Sequence, residues 1–429
     1  MTASALPHPA VPVAPRPVLT SIALVGEHFG TATLYLAAGA LGLIWIAPEL
    51  AIGAYPSPHV AGVTHLFTLG WLTTMIFGAL HQLLPVGLGA PMRSVRVGHL
   101  SFWCFAPGVG MFAAGVATHA TMLHHAGIWL VGTGILLEAG NIAATLPRAR
   151  ARHVDWAAIA IAFCFLVSTL GVGIVLLHNL HTGFLAEARV RVLSAHLHVA
   201  IVGWALTMIA GVSHRLLPMF LLSHGANMAW TKRALVLLTT GVIALAAGLV
   251  VDVAWLQWTG TALLDAGVAC YVWQVVSLFR ARIRRKLDIG MRYVSVAVCF
   301  LVAVAAIGPA VLATGVSHPR LATVYVVVGL LGGIVLMVIG FFYKIAPMLA
   351  WTVRYGDRPS GGEWPSVAQT FSARVAAVQL GVMGLGVTLL ALGIATASVH
   401  VTRCGAALFT VGVALFLSQI LRITLGDPA

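Results

Sequence analysis

The residues of this chain best suited to chemistry are its histidines, and their placement repeats. The stretch His65–Pro85 recurs as His198–Pro218 at a constant offset of 133 residues, without a gap. The two copies share His65/His198, Gly70/Gly203, Trp71/Trp204, Met75/Met208, Gly78/Gly211, His81/His214 and Pro85/Pro218. Neutral imidazole is a good ligand for iron, copper and zinc. Two such rings at one depth, on helices related by duplication, could clamp a heme from its two faces. The alternative is a pair of histidines hydrogen-bonded within a helical bundle.

His196 forms an HxH with His198. Residues two apart on a helix point about 200° apart, so the two rings can serve neighbouring centres but not one axial position. His81 and His214 lie about 24 Å along the axis and about 160° around it from the first pair. They suit a second cofactor or an interfacial anchor. His178 and His181 share a helix face and fit either a copper or zinc site or a solvated loop edge, and His119, His124 and His125 form a similar loop cluster. Glu138 and Asp265 occupy like segments, Leu136–Gly140 and Leu263–Gly267. Carboxylates at such depth suit a proton or cation path, or a structural polar contact. Gly70 and Gly78, like Gly203 and Gly211, are eight apart and let a flat cofactor or a helix backbone approach closely.

The elements that must carry these residues follow from composition. Sixty per cent of the 429 residues are apolar and 8% charged, which excludes a soluble globular class. Apolar runs of about 20 residues recur along the chain, each able to cross a hydrocarbon layer of about 30 Å. The expected fold is an all-α polytopic membrane protein with spans near 21–47, 58–85, 98–118, 122–146, 156–180, 192–221, 233–253, 256–279, 292–314, 320–348, 374–397 and 402–422. A third copy of the repeat, at a further offset of 129, keeps Gly332, Met337, Gly340 and Pro347, with Val327 in place of His198 and Tyr343 in place of His214. Twelve spans then form three parallel four-helix repeats (about 20–150, 151–285 and 286–429) around a pseudo-threefold axis, in one domain over 20–429. Residues 1–19, rich in proline, read as a disordered tail.

The net charge of +13 comes from basic residues in short loops, where Lys and Arg set membrane orientation rather than bind nucleic acid. With the N-terminus inside, 20 of the 24 basic residues lie on the cytoplasmic side, so both termini are assigned to the cytoplasm of a bacterial-type inner membrane. The five cysteines are odd in number and scattered over apolar segments, which suits packing rather than disulfides or a metal site.

The twelve spans, the four-helix units and His65 early in the second span resemble subunit I of the heme–copper oxidases, particularly its cbb3-type and nitric-oxide-reductase-like branch. The chain is also similar to NnrS-like heme membrane proteins. In that family a histidine of the second span is an axial ligand of the low-spin heme, and an HxH on span 10 supplies its partner. Here the HxH is His196/His198 on span 6, span 10 offers Val327, and span 7 has no histidine for a copper or non-heme iron centre. The resemblance implies a heme b protein without the binuclear copper centre, acting in electron transfer or in the response to nitric oxide or another diatomic gas. His65 and His198 would be the axial ligands, with His196 as the alternate. Membrane lipid and a respiratory-chain or cytochrome c-type electron partner are the partners implied; oxygen or nitric oxide reduction is not expected. The competing expectations are a proton- or metal-ion-coupled transporter without heme and a structural subunit of a respiratory complex.

Overall fold

Within hydrocarbon every backbone polar group must be satisfied inside the protein, and an apolar run meets that demand by becoming helical. The computed structural model describes residues 21–223, 227–283, 286–356 and 364–426. Among them are twelve helices long and apolar enough to span a membrane: α1 Ile22–Ala51, α2 Pro58–Gly87, α3 Val95–Ala117, α4 Thr121–Arg148, α5 Val154–Thr182, α6 Ala186–Leu221, α7 Ala229–Val251, α8 Ala254–Arg280, α9 Ile289–Thr314, α10 Pro319–Tyr355, α11 Ala373–Ala395 and α12 Val399–Leu425. The expected proline-rich tail, Arg284, Arg285 and Arg358 lie outside the described residues.

Two helices run past their apolar segments. α6 begins at Ala186 rather than near 192, and α10 continues to Tyr355 rather than ending near 348. Charged residues close these ends without breaking the helix. Arg191 meets Asp252 at 3.2 Å, Lys344 meets Asp288 at 2.8 Å, and Arg189 donates to the Pro56 carbonyl at 3.0 Å.

α6 touches both α2 and α10 at the centre. Around them, α1 packs on α2, α5 on α6 and α9 on α10. α3/α4, α7/α8 and α11/α12 are close antiparallel pairs, and contacts α4–α5, α8–α9 and α12–α1 close the ring. Each central helix widens into a π-helical stretch at Leu66–Thr73, Val199–Leu206 and Val328–Val335. These begin one residue after His65, His198 and Val327, at the offsets of the sequence repeat. Widening alters the hydrogen-bond ladder, and threonine hydroxyls reach back five residues to take up carbonyls. Thr73 donates to Thr68, Thr74 to Leu69 and Thr207 to Val202, at 2.9–3.0 Å.

The glycines of the repeated stretch face neighbouring helices, not open space. A Cβ at Gly70 would lie 2.6 Å from Tyr35 on α1, one at Gly203 2.8 Å from Phe165 on α5, and one at Gly332 2.5 Å from Phe300 on α9. Of the two expectations for Gly70 and Gly203, close packing is the one with a contact here, against the rings of Tyr35 and Phe165. The antiparallel pairs close through glycines seven apart that meet backbone: Gly108/Gly115 and Gly127/Gly134, then Gly241/Gly248 and Gly260/Gly267, then Gly386/Gly393 and Gly405/Gly412. A side-chain amide locks the far end of each pair. Asn141 accepts from the Ser94 amide at 3.1 Å, Gln274 donates to the Asn227 carbonyl at 3.0 Å, and Gln419 accepts from the Ser372 amide at 2.7 Å.

This packing corrects one local sequence match. Gly267 contacts Leu238 on α7 as Gly134 contacts Phe105 on α3, whereas Gly140 meets nothing within 4 Å. Glu138 therefore corresponds to Tyr271, six residues beyond Asp265. It is fully buried, while Asp265 is partly exposed.

Gly211 tests the close approach of α6 to α5, because a Cβ there would collide with the Cβ of Ala158. Gly211→Ala should destabilise the purified protein by about 1–3 kcal/mol, read as a lower thermal midpoint in detergent. Adding Ala158→Gly should restore it. A wild-type midpoint for Gly211→Ala would contradict this contact.

Candidate functional site

α2, α6 and α10 all begin on one side of the bundle, and the histidines concentrate toward it. His65 and His198 occupy equivalent positions, but they do not face each other. The His65 ring lies 6.4 Å, centroid to centroid, from His196, with the planes inclined 42°. His198 turns to α10, where its Nε2 is 3.2 Å from the Tyr325 hydroxyl. Tyr325 stands in the frame of His196, at the offset of 129, and Val327 in that of His198. The corresponding place between α10 and α2 is apolar: Val327 and Val63 line one cavity of about 40 Å³.

The physical reason is geometric. The two histidines of α6 turn to different neighbours, so His65 and His198 do not converge. The HxH spacing supplies one ring to each neighbour, His196 to α2 and His198 to α10. Tyr325 carries no imidazole, but the offset of 129 sets it in the frame of His196, and it meets His198.

The orientation of the rings fixes their free nitrogens. His65 Nδ1 donates to the Ala61 carbonyl at 2.7 Å and His198 Nδ1 to the Ser194 carbonyl at 2.8 Å, which leaves each Nε2 with its lone pair. His196 Nδ1 is buried without a hydrogen bond, and its ring faces Gly173 on α5. Phe112 of α3 stands edge-on to His65 at 5.0 Å. His65, His196, His198 and Tyr325 all retain some accessible surface deep in the helices.

Two imidazoles on opposite sides of one metal, with bonds near 2.0 Å, hold their ring centroids about 6 Å apart. The His65/His196 spacing fits that requirement. By donor chemistry and spacing, these two side chains could supply two nitrogen donors to one metal centre. The larger cavity, about 80 Å³, lies elsewhere between α1, α2, α6 and α10 and is apolar, with Met75, Met208 and Phe342 in its wall.

A second polar group lies farther along α2. His81 Nε2 and Glu138 Oε1 are 3.2 Å apart, both side chains fully buried, and the His28 ring is 5.5 Å from that of His81. His28 Nδ1 donates to the Leu24 carbonyl, but its Nε2, both His81 nitrogens and both Glu138 oxygens lack a hydrogen bond. Such groups are costly to bury unless a proton, water or ion joins them. The places equivalent to Glu138 hold Tyr271, bonded to Ser213 at 3.1 Å, and Phe416, packed on Tyr343 at 5.7 Å. The sequence displays His28, His81 and Glu138 only as separate residues on three helices.

The remaining candidates disperse. His181 leaves its i,i+3 partner His178, which packs on Phe184, and joins His124 and His125. His214 is partly exposed with Nδ1 unpaired, and beside it Arg215 binds Asp155 at 2.7 Å. Asp265 makes no hydrogen bond among the described residues and lies within electrostatic reach of Tyr325.

Fold and side chains together define a polytopic α-helical membrane protein with partly buried imidazoles between its central helices. No protein-family model matches the chain, and no curated protein matches it significantly.

If His81 and Glu138 form one unit, removing either strands the other. His81→Ala and Glu138→Ala should each lower stability by about 3–5 kcal/mol in denaturation from mixed micelles. The double variant should lose clearly less than the sum. Additive losses would show that the two side chains act separately.

Proposed function

We propose that this chain is a heme b-binding integral membrane protein related to heme–copper oxidase subunit I, acting in electron transfer or in the response to nitric oxide or another diatomic gas. The observation that carries this reading is the facing pair His65/His196, at the spacing two axial imidazoles need. It replaces the symmetric pair His65/His198 as the ligand set, with His198 and Tyr325 as a hydrogen-bonded pair at the adjacent interface. The heme, when bound, supplies one-electron redox chemistry and a site for a gas molecule. The chain's own residues do the rest. The Ala61 carbonyl orients His65 through Nδ1, Phe112 fixes its edge, and Gly173 leaves room beside His196. Span 7 carries no histidine, which argues against a binuclear copper centre and against oxygen or nitric oxide reductase activity. A respiratory-chain or cytochrome c-type protein would be the electron partner.

In this reading the helices form three four-helix units about a pseudo-threefold axis. The recurrence of π-helical stretches, paired glycines and amide locks at matching offsets supports it. Both termini lie in the cytoplasm of a bacterial-type inner membrane, which the 20-to-4 partition of basic residues supports.

The buried His28–His81–Glu138 group favours a second reading, a proton-coupled transporter without heme. The two separate cleanly. Protein expressed with ample heme should show a Soret band and the sharp α-band of a low-spin b heme. His65→Ala and His196→Ala should each abolish both, and His198→Ala should retain them. A colourless wild type, with proton flux in liposomes that Glu138→Gln abolishes, would replace the heme reading with the transporter.

A further inference from the structure

A second imidazole cluster lies apart from the His65/His196 pair, where α4 begins and α5 ends. His124 Nε2 and His181 Nε2 are 2.8 Å apart, and one ligand nitrogen from each of His124, His125 and His181 lies within 4.8 Å of the others. Their ring centroids are 4.7–5.2 Å apart. His124 is buried, whereas His125 and His181 are exposed. From these contacts we infer that His124, His125 and His181 form a binding site for a transition-metal ion of the Zn(II) or Cu(II) type, with a fourth position open to water.

A tetrahedral ion with metal–nitrogen bonds of 2.0–2.1 Å holds its ligand atoms about 3.3 Å apart. The His124–His181 separation is shorter than that and no ligand atoms are more than 4.8 Å apart, so small rotations of the two exposed rings complete the set. Imidazole donors select zinc and copper over calcium or magnesium. The neutral alternative, a proton shared between His124 and His181, accounts for one short contact but not for the convergence of His125.

The local structure keeps one nitrogen of His124 spare. A Cβ at Gly115 would collide with the His124 backbone, so this glycine is what lets α4 close on α3 and sets His124 at the mouth of the pair. His124 Nδ1 lies 3.4 Å from the Gly115 carbonyl, and Gln257 makes the corresponding contact, 3.0 Å from the Gly248 carbonyl. That contact satisfies the helix pair through Nδ1 and leaves Nε2 turned toward His181. A backbone carbonyl behind a ligating imidazole is also what fixes its tautomer for metal binding. Along α5, His181 lies about 12 Å beyond Gly173, which faces His196, so the two groups are distinct.

The test uses full-length protein, purified in detergent, stripped with chelator and dialysed against zinc sulfate, with bound metal counted by mass spectrometry. One zinc per chain is expected in addition to any heme iron. His125→Ala and His181→Ala, both exposed and so sparing the fold, should each weaken zinc binding by about 100-fold or more. His178→Ala, one turn away, should leave it unchanged, and cobalt substitution should give the intense visible bands of a four-coordinate nitrogen site. His65→Ala should keep the zinc, which separates this site from the heme reading. Failure of the wild type to bind, unchanged affinity in both His125→Ala and His181→Ala, or an equal loss in His178→Ala would overturn the site.

Discussion

The register between α2, α6 and α10 governs where chemistry can occur in this protein. A residue in the frame of His65 on one central helix meets the residue two positions earlier in the frame on the next. The contacts produced are His65 with His196, His198 with Tyr325, and Val327 beside Val63 in one cavity wall. The π-helical stretches begin directly after these positions, and each winds less per residue than an α-helix. The face each central helix shows its neighbours therefore changes at that level. Threonine hydroxyls stabilise the widened turns where no water could.

Against this regular frame, polar groups are placed unevenly. The position of Glu138 becomes tyrosine at 271 and phenylalanine at 416, and that of His124 becomes Gln257 and Thr402. All three versions fill the space, but only the first offers ionisable groups at both levels. Buried imidazoles and carboxylates cost stability without partners, and they are concentrated on α1–α6. The α7–α12 half keeps the glycine contacts and the amide locks and replaces most titratable groups with hydroxyl, amide or aromatic ones.

Much of the scaffold was legible in the sequence. Hydropathy alone sets twelve spans, because crossing a hydrocarbon layer fixes helix length, and the offset of 133 places equivalent residues at equal depth. The glycines seven apart on α3, α4, α7, α8, α11 and α12 are a further signal, and they would have aligned Glu138 with Tyr271 rather than with Asp265. Pairing was less legible. Depth follows from position along a helix, but which flank meets which neighbour depends on rotation and order around the axis, and the π turns alter both. His65 and His198 share a depth and therefore looked like partners. The i,i+3 spacing of His178 and His181 likewise implied a shared face, but α4 offers His124 and His125 to only one of them.

The HxH carries both lessons at once. Its two-residue step was enough to exclude a common axial position for His196 and His198, and their rings do part toward α2 and α10. A histidine two residues before an equivalent histidine is thus the means by which one central helix serves both its neighbours. α10 keeps only the phenol of Tyr325 in that frame, and α2 keeps Val63. The imidazole supply therefore runs out in one direction around the bundle, from two rings at the α2–α6 contact to one at α6–α10 and none at α10–α2. Two imidazoles meet at only the first of these three places.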